Sequence, residues 1–395
     1  MIAVYLIPAY VLVNVYFFWR IYGWLKVCSP RFQSRKALGI SILIYVFLAL
    51  SMLIAFFLPA GGLQRVMKLV SNYWLGILLY MGMTIACAEI LRFLLFRSKK
   101  MRQRLQTVRV HRIVGTICTA VIASICLYGV INARIVRVTP YEVRVDKQVE
   151  GMDSLKVVLV ADLHLGYNIG LSHMEAMVEK INAQDPDLVV IAGDIFDNEW
   201  EAVEQADKLI ETLKGIQSRY GVYACYGNHD IQEPILAGFT FKSEGKKVSD
   251  PHMDEFLEKA GIQLLRDEYV LIADSIYLYG RPDAQRLGRG IDQRKTPEEI
   301  TADMDQTKPI LVMDHQPRQL QELSEAGVDV DLCGHTHDGQ LFPANLTTRL
   351  LWENSCGYMK IGQMHNIVTS GLGLFGPNMR VGTRSEICPI TISFK

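Results

Sequence analysis

A chain of 395 residues with 41 basic and 41 acidic side chains is too long for one small domain and leaves room for two or three folding units. Its zero net charge supports no class of partner, because nearly all the acids lie in the second part while the first carries clustered Lys and Arg. The eight cysteines form no Cys-x-x-Cys pair and no zinc spacing. They read as small buried hydrophobes, with a Cys356 to Cys388 disulfide open only in an oxidising compartment.

Spanning a hydrocarbon core takes about 20 apolar residues in a helix, and four segments qualify: Ile2 to Leu25, Ala37 to Leu58, Val70 to Phe96 and Ile113 to Ile131. The first exceeds a signal-peptide core and is followed by further spans without a small-residue cleavage site, so it reads as retained. The first connection carries Lys26, Arg31, Arg35 and Lys36, the second only Arg65 and Lys68. The third carries seven basic residues, from Arg97 to Arg112, and no acid. Because Lys and Arg resist translocation, this bias puts the first and third connections in the cytoplasm. A multi-pass protein of the cell membrane follows, with its C-terminal part outside the cytoplasm. Glu89 inside the third span reads as paired locally with Arg92 rather than functional.

Residues 132–154 read as a connector, extended from Val136 to Gln148, and residues 155–395 as an α/β unit. The strand candidates are Leu155 to Ala161, Asp187 to Ala192, Gly221 to Tyr226, Ile310 to Met313 and Val328 to Cys333. Apolar residues recur at helical spacing from Leu171 to Ile181 and from Val203 to Ile216. Ile231 to Asp254 and Arg281 to Thr307 read as long loops able to carry specificity. No internal repeat, low-complexity tract, nucleic-acid-binding pattern or signal of oligomeric state stands out.

Each predicted strand ends in a polar cluster. In chain order these are Asp162 and His164, then Gly193, Asp194 and Asp197, then Gly227 to Asp230, then Asp314 and His315, then Gly334 to Asp338. One such cluster is unremarkable, but five at successive strand ends converge where α/β folds place their chemistry. Imidazole, carboxylate and amide donors without thiolate suit Mn, Fe, Zn, Ni or Co rather than calcium or an iron–sulfur cluster. Seven donors exceed one ion and suit two divalent ions sharing a bridging carboxylate, as in phosphoryl-transfer sites.

These blocks resemble those of the calcineurin-like metallophosphoesterase family: Asp-x-His, Gly-Asp-x-x-Asp, Gly-Asn-His-Asp/Glu, a lone His and Gly-His-x-His, all present in order over residues 155–395. The ending with Gly339, Gln340, Gly371, Leu372 and Gly373 looks closest to a membrane-anchored subgroup. The resemblance implies a four-layer αββα sandwich after the four-span region of residues 1–131. It implies Asp162, His164 and His337 on one metal, Asn228, His315 and His335 on the other, and Asp194 bridging. It also implies His229 beside the leaving group, oriented by Asp197. Asp230 reads equally as support for that site and as a structural residue of its loop. Where the subgroup usually has Gly, this chain has Asp338, a carboxylate that either acts beside the expected metals on metal preference or substrate charge, or points to solvent.

The function so implied is a membrane-anchored phosphoesterase acting through metal-activated hydroxide. The runner-up within enzymes is a pyrophosphohydrolase of a lipid or nucleotide-sugar-lipid, resembling the UDP-2,3-diacylglucosamine hydrolases, and the bilayer anchor favours a lipid-linked phosphoester. Other classes are a non-catalytic scaffold, opposed by the filled ligand positions, and a membrane transporter or sensor, opposed by spans that hold one ionisable candidate.

Overall fold

The computed structural model describes residues 2–231, 233, 235–236, 239–240, 249–288 and 290–395, so 241–248 of the first predicted specificity loop lie outside the described residues. The chain forms two compact units, Met1–Val130 and Ile131–Lys395. The first contains α1 (Ile2–Cys28), α2 (Arg35–Phe57), α3 (Gly62–Leu95), α4 (Lys99–Leu105) and most of α5 (Val108–Asn132). Among the described residues, α2, α3 and α5 are long and apolar enough to cross a membrane. The first predicted span falls in α1, where residues 2–6 are described by backbone only.

Large side chains such as Leu43, Phe57 and Phe93 are exposed around these helices, while Phe17, Ala49, Trp74 and Met81 pack inside. An apolar exterior of this kind suits lipid rather than water. Ser34 caps α2 by accepting from the Ala37 amide at 3.1 Å. Glu89 lies 2.5 Å from Arg20 and 3.6 Å from Arg92, so the local pair is joined by a cation from α1.

The second unit is built on two sheets. Its strands are β1 (Val136–Val138), β2 (Tyr141–Arg144), β3 (Ser154–Val160), β4 (Leu188–Ala192), β5 (Val222–Cys225), β6 (Ile235–Leu236), β7 (Phe239–Thr240), β8 (Ile262–Leu264), β9 (Glu268–Ile272), β10 (Ile276–Gly280), β11 (Ile310–Met313), β12 (Val330–Cys333), β13 (Gly357–Ile361), β14 (Met364–Val368) and β15 (Ser385–Ser393). The helices are α6 (Leu171–Asn182), α7 (Ala206–Lys214), α8 (Pro251–Lys259), α9 (Pro297–Thr301), α10 (Leu320–Glu325) and α11 (Ala344–Leu351).

The first sheet runs β1-β15-β3-β4-β5-β8, with β2 also on β15, and the second β13-β14-β12-β11-β10-β9. Strands β3, β4, β5 and β8 are parallel, as are β14, β12, β11 and β10.

The period of two in a strand divides each strand between two cores. Leu155, Val157 and Leu159 of β3 join Leu311 and Met313 of β11 and Leu332 of β12 between the sheets. Val158 and Val160 instead pack with Met174, Met177, Leu209 and Phe256 of the outer helices. On the far side Ile310 and Val312 pack with Ile300, Leu320 and Leu323. Helix, sheet, sheet and helix therefore form the four layers that the resemblance implied, and burial on both faces explains why these strands read as continuous apolar runs.

The segment read as a connector is more than that. β1 and β2 both add in parallel to β15, pairing Val136 with Ser385 and Tyr141 with Ile390. β15, nine residues long, offers an edge that two short strands share. All eight cysteines are free thiols, so Cys356 and Cys388 are not joined.

Candidate metal centre

The parallel strands of both sheets point their C-terminal ends at one place, and the backbone turns sharply there. Asp162, His164, Asp194, His335 and His337 all take left-handed φ values between 47° and 74°. For residues other than glycine that conformation costs about 1–3 kcal/mol each, and it persists only where surrounding bonds enforce it. Those bonds run across strand ends: Asp162 N donates to Gly193 O at 2.9 Å, and His164 N to Asp194 O at 3.0 Å.

Three groups of donors result among the described residues, one of them (His164, Asp197 and His229) sharing His164 with the first of the two that hold the expected metal ligands. In that first one, His164 Nε2 faces His337 Nε2 at 3.0 Å, and His337 Nε2 lies 3.7 Å from Asp162 Oδ1. In the other, His315 Nε2 lies 3.1 Å from Asp194 Oδ2 and 3.2 Å from His335 Nδ1. Asp194 stands between them, 3.8 Å from His164 Nε2. The Asn228 Oδ1 atom is buried with no hydrogen-bond partner.

Imidazole nitrogens that face each other across about 3 Å beside buried carboxylates share a proton in an N–H···N bond, and the same nitrogens offer lone pairs to a cation that displaces that proton. An orphaned amide oxygen adds a further donor, and the set matches the hard-to-borderline ligands of a divalent transition ion. The residues present therefore fit the metals that the donor types imply. His315 Nδ1 donates to Ala192 O at 2.9 Å, which leaves Nε2 bare for a cation.

Burial, followed by the nearby Asp194, pushes the Asp162 carboxyl up to about 6, against the pull of His315 and His164. Burial alone would raise Asp194 too, but His315, His229 and His164 outweigh it and hold that carboxyl well below the usual range. Close approach of these groups also requires missing side chains. A Cβ on Gly371, whose φ is +77°, would sit 2.7 Å from Asp162 Oδ2, and one on Gly227 would sit 2.3 Å from Asp194 Oδ1.

One sequence expectation changes here. His229 Nδ1 bonds the Asn198 carboxamide oxygen, whereas Asp197 Oδ1 is 3.9 Å from that nitrogen and 3.3 Å from His164 Nδ1. Asn198 is locked for this task by its Nδ2 donating to Ile231 O at 2.8 Å and its N–H donating to His229 O at 2.9 Å. The orienting partner of His229 is thus a neutral amide, while Asp197 leans on His164. Burial lowers the His229 imidazole to about 4 despite Asp194 nearby. Asp338 takes φ 47° and ψ 32°, which explains why glycine suits that position. Its carboxyl, raised by burial with Arg349 opposing, joins no group of metal-ligating atoms among the described residues.

Asp230 is structural: its two oxygens accept from Phe196 N at 2.8 Å and Gly227 N at 2.7 Å, fixing the Gly-Asn-His turn. Burial pushes its carboxyl up to about 7.

Several site residues escaped the sequence reading. Arg286 reaches the pocket from the second predicted loop, donating to Asn228 O at 3.1 Å and pairing with Glu233 at 2.9 Å. Phe375 covers the imidazoles, its ring 4.9 Å from that of His229 and 6.0 Å from that of His164. Fully buried Arg380 lies 3.3 Å from His337 Nδ1 and donates to Gly373 O at 2.8 Å. Arg281 and Arg294 both grip Asp314 behind His315. The pocket, about 510 Å³, is lined by Asp194, Asn228, His229, Arg286, His335, His337 and Phe375 together with Ala344 and Thr348 of α11.

Comparison with known proteins agrees with this geometry. Residues 155–339 match the family model described as calcineurin-like phosphoesterase. A Danio rerio protein named transmembrane protein with metallophosphoesterase domain is 30% identical over 399 residues, covering 94% of this chain and 86% of that one. The chain belongs to the calcineurin-like metallophosphoesterase family.

A Bos taurus protein of the same name is 29% identical over 264 residues, and there the match covers 65% of this chain and 56% of the relative. More distant is a Chlamydia trachomatis protein named UDP-2,3-diacylglucosamine pyrophosphatase LpxG, 24% identical over 244 residues and covering 53% of this chain and 72% of that one.

Within this metallophosphoesterase unit, Gly371→Ala should cost most of the bound divalent metal, because the new methyl displaces Asp162. Elemental analysis of the purified full-length variant checks this, and metal content equal to wild type would contradict it.

Proposed function

We propose that the chain is a membrane-anchored hydrolase of phosphoesters that uses two divalent ions. The observation that carries this is the pair of donor groups, Asp162 with His164 and His337, and His315 with His335, joined at Asp194. Asp162, His164 and His337 would hold one ion, and Asn228, His315 and His335 the other, with Asp194 shared. When bound, such ions supply Lewis acidity, acidifying water and neutralising charge on phosphoryl oxygens.

The remaining work belongs to side chains. Arg286 at the pocket wall adds a cation for the non-bridging phosphate oxygens. His229 commits Nδ1–H to Asn198 and so presents Nε2 to the pocket. An anionic phosphoryl group beside it opposes the desolvation that keeps the ring neutral, favouring the imidazolium whose Nε2–H protonates the departing oxygen. Phe375 keeps bulk water from this ring. Asp197 acts on His164 instead, as its carboxylate partner.

A lipid-linked pyrophosphate is the second substrate reading, favoured by the name of the Chlamydia relative and by the apolar helices of the first unit. Side-by-side assay of a lipid-linked pyrophosphate and soluble nucleotides separates the two readings. The scaffold reading is opposed by a site in which every expected donor is present, all buried but half-buried His335.

Purified protein with Mn²⁺ should hydrolyse a generic aryl phosphoester and lose that activity to chelator. His229→Ala should lower kcat/KM by about 10²–10⁴-fold. An Asp194→Asn protein with full activity would sink the two-ion proposal. The seven basic residues of the third connection against two in the second also lead us to propose that the catalytic unit lies outside the cytoplasm. A reporter fused after Lys395 should be active there, and activity only inside the cell would overturn this topology.

A further inference from the structure

We infer that α11 is an interfacial helix that docks the mouth of the pocket onto the bilayer surface. Its sequence, ANLTTRLL, has two different sides. Ala344 and Thr348, one turn apart, line the pocket. Leu346 and Leu350, also one turn apart, fall on the opposite side and are 50% and 86% exposed. Leu351 is 78% exposed, and Phe342 just before the helix is 41% exposed. So many large apolar side chains in water on one short element mark a surface built for an apolar neighbour.

The neighbour is identified by what holds this element. Phe342 N donates to Val381 O at 2.8 Å, and Val381 N donates to Gln340 O at 3.1 Å, so the approach to α11 is paired with the 380–383 loop. That loop is in turn gripped by Asn132, whose Nδ2 donates to Arg380 O at 3.0 Å and Thr383 O at 2.9 Å. Asn132 is the last residue of α5, a helix long and apolar enough to cross a membrane. The leucine face is thus tied, through one buried amide and one loop, to the point where a membrane-crossing helix enters the catalytic unit. A lipid surface is the apolar phase that must lie there.

The helix is also fixed to the site. A Cβ on Gly339, with φ +76°, would sit 2.3 Å from Asn345 N, so α11 packs directly on the turn that carries His337. Seating the leucines among acyl chains would hold the donors of His335 and His337 near headgroup level, where a phosphate attached to a lipid presents itself. That consequence for the substrate rests on the phosphoesterase reading, whereas the docking does not.

The test uses the full chain in nanodiscs of phosphatidylcholine and phosphatidylglycerol, with exposed Cys28 and Cys87 replaced by Ser. An environment-sensitive fluorophore is attached at Leu350→Cys or, as a control on the outer face of the second sheet, at Glu298→Cys. The Leu350→Cys probe should be quenched by doxyl-labelled lipid and shielded from aqueous iodide, with the reverse at Glu298→Cys. Equal iodide quenching at both positions would overturn the inference. Shielding without lipid quenching would assign the face to a second copy of the chain and overturn it as well. Because the readout is depth rather than turnover, a protein that hydrolyses nothing still reports docking, and the two readings fail separately.

Discussion

The site is arranged around one electrostatic demand: the buried carboxylates of Asp162 and Asp194 and four close imidazoles share a space that bound positive charge, from ring protons or a metal cation, stabilises. His164 and His337 face each other at 3.0 Å, and His315 and His335 at 3.2 Å. Desolvation makes each unpaired charge there costly. Divalent cations would satisfy the whole set at once, at the same strained turns that bring these donors together.

The two-sheet architecture supplies the rigidity that this demand requires. Parallel strands deliver five polar turns to one end, and the shared apolar core between the sheets fixes their spacing. Left-handed turns at five of these residues re-aim the side chains, while glycines at 227 and 371 allow the carboxylates to be approached closely. Bulky hydrophobic burial thus offsets local strain, the usual division between scaffold and site. Arg281 and Arg294 form buried charge pairs with Asp314, and Arg380 behind His337 adds buried hydrogen bonds, which hold the last two turns in register.

Much of this was legible because the signals were local. Ile310 to Met313 read as a strand and is one, since a run buried on both faces needs no long-range information. The polar clusters were legible for the same reason, each lying directly after such a run. What depended on distant pairing was not. β1 and β2 looked like linker because their partner, β15, lies some 250 residues away in sequence, as in the 248-residue separation of Asn132 and Arg380. Asn198 was overlooked beside Asp197 because sequence shows which side chains are available but not which of two neighbours a left-handed turn at Asn198, φ 61°, will aim at His229. Asp338, whose role the residues alone leave open between the metals and solvent, joins no group of metal-ligating atoms among the described residues. Arg286 and Phe375 sit in irregular segments where no periodicity announces a direction.

The central claim is that two ions share this site through Asp194. Anomalous scattering from manganese-loaded crystals of the full-length protein tests it most directly. Two peaks are predicted, one contacted by Asp162, His164 and His337, the other by Asn228, His315 and His335, with Asp194 touching both. A single peak, or two peaks without Asp194 between them, would contradict the account.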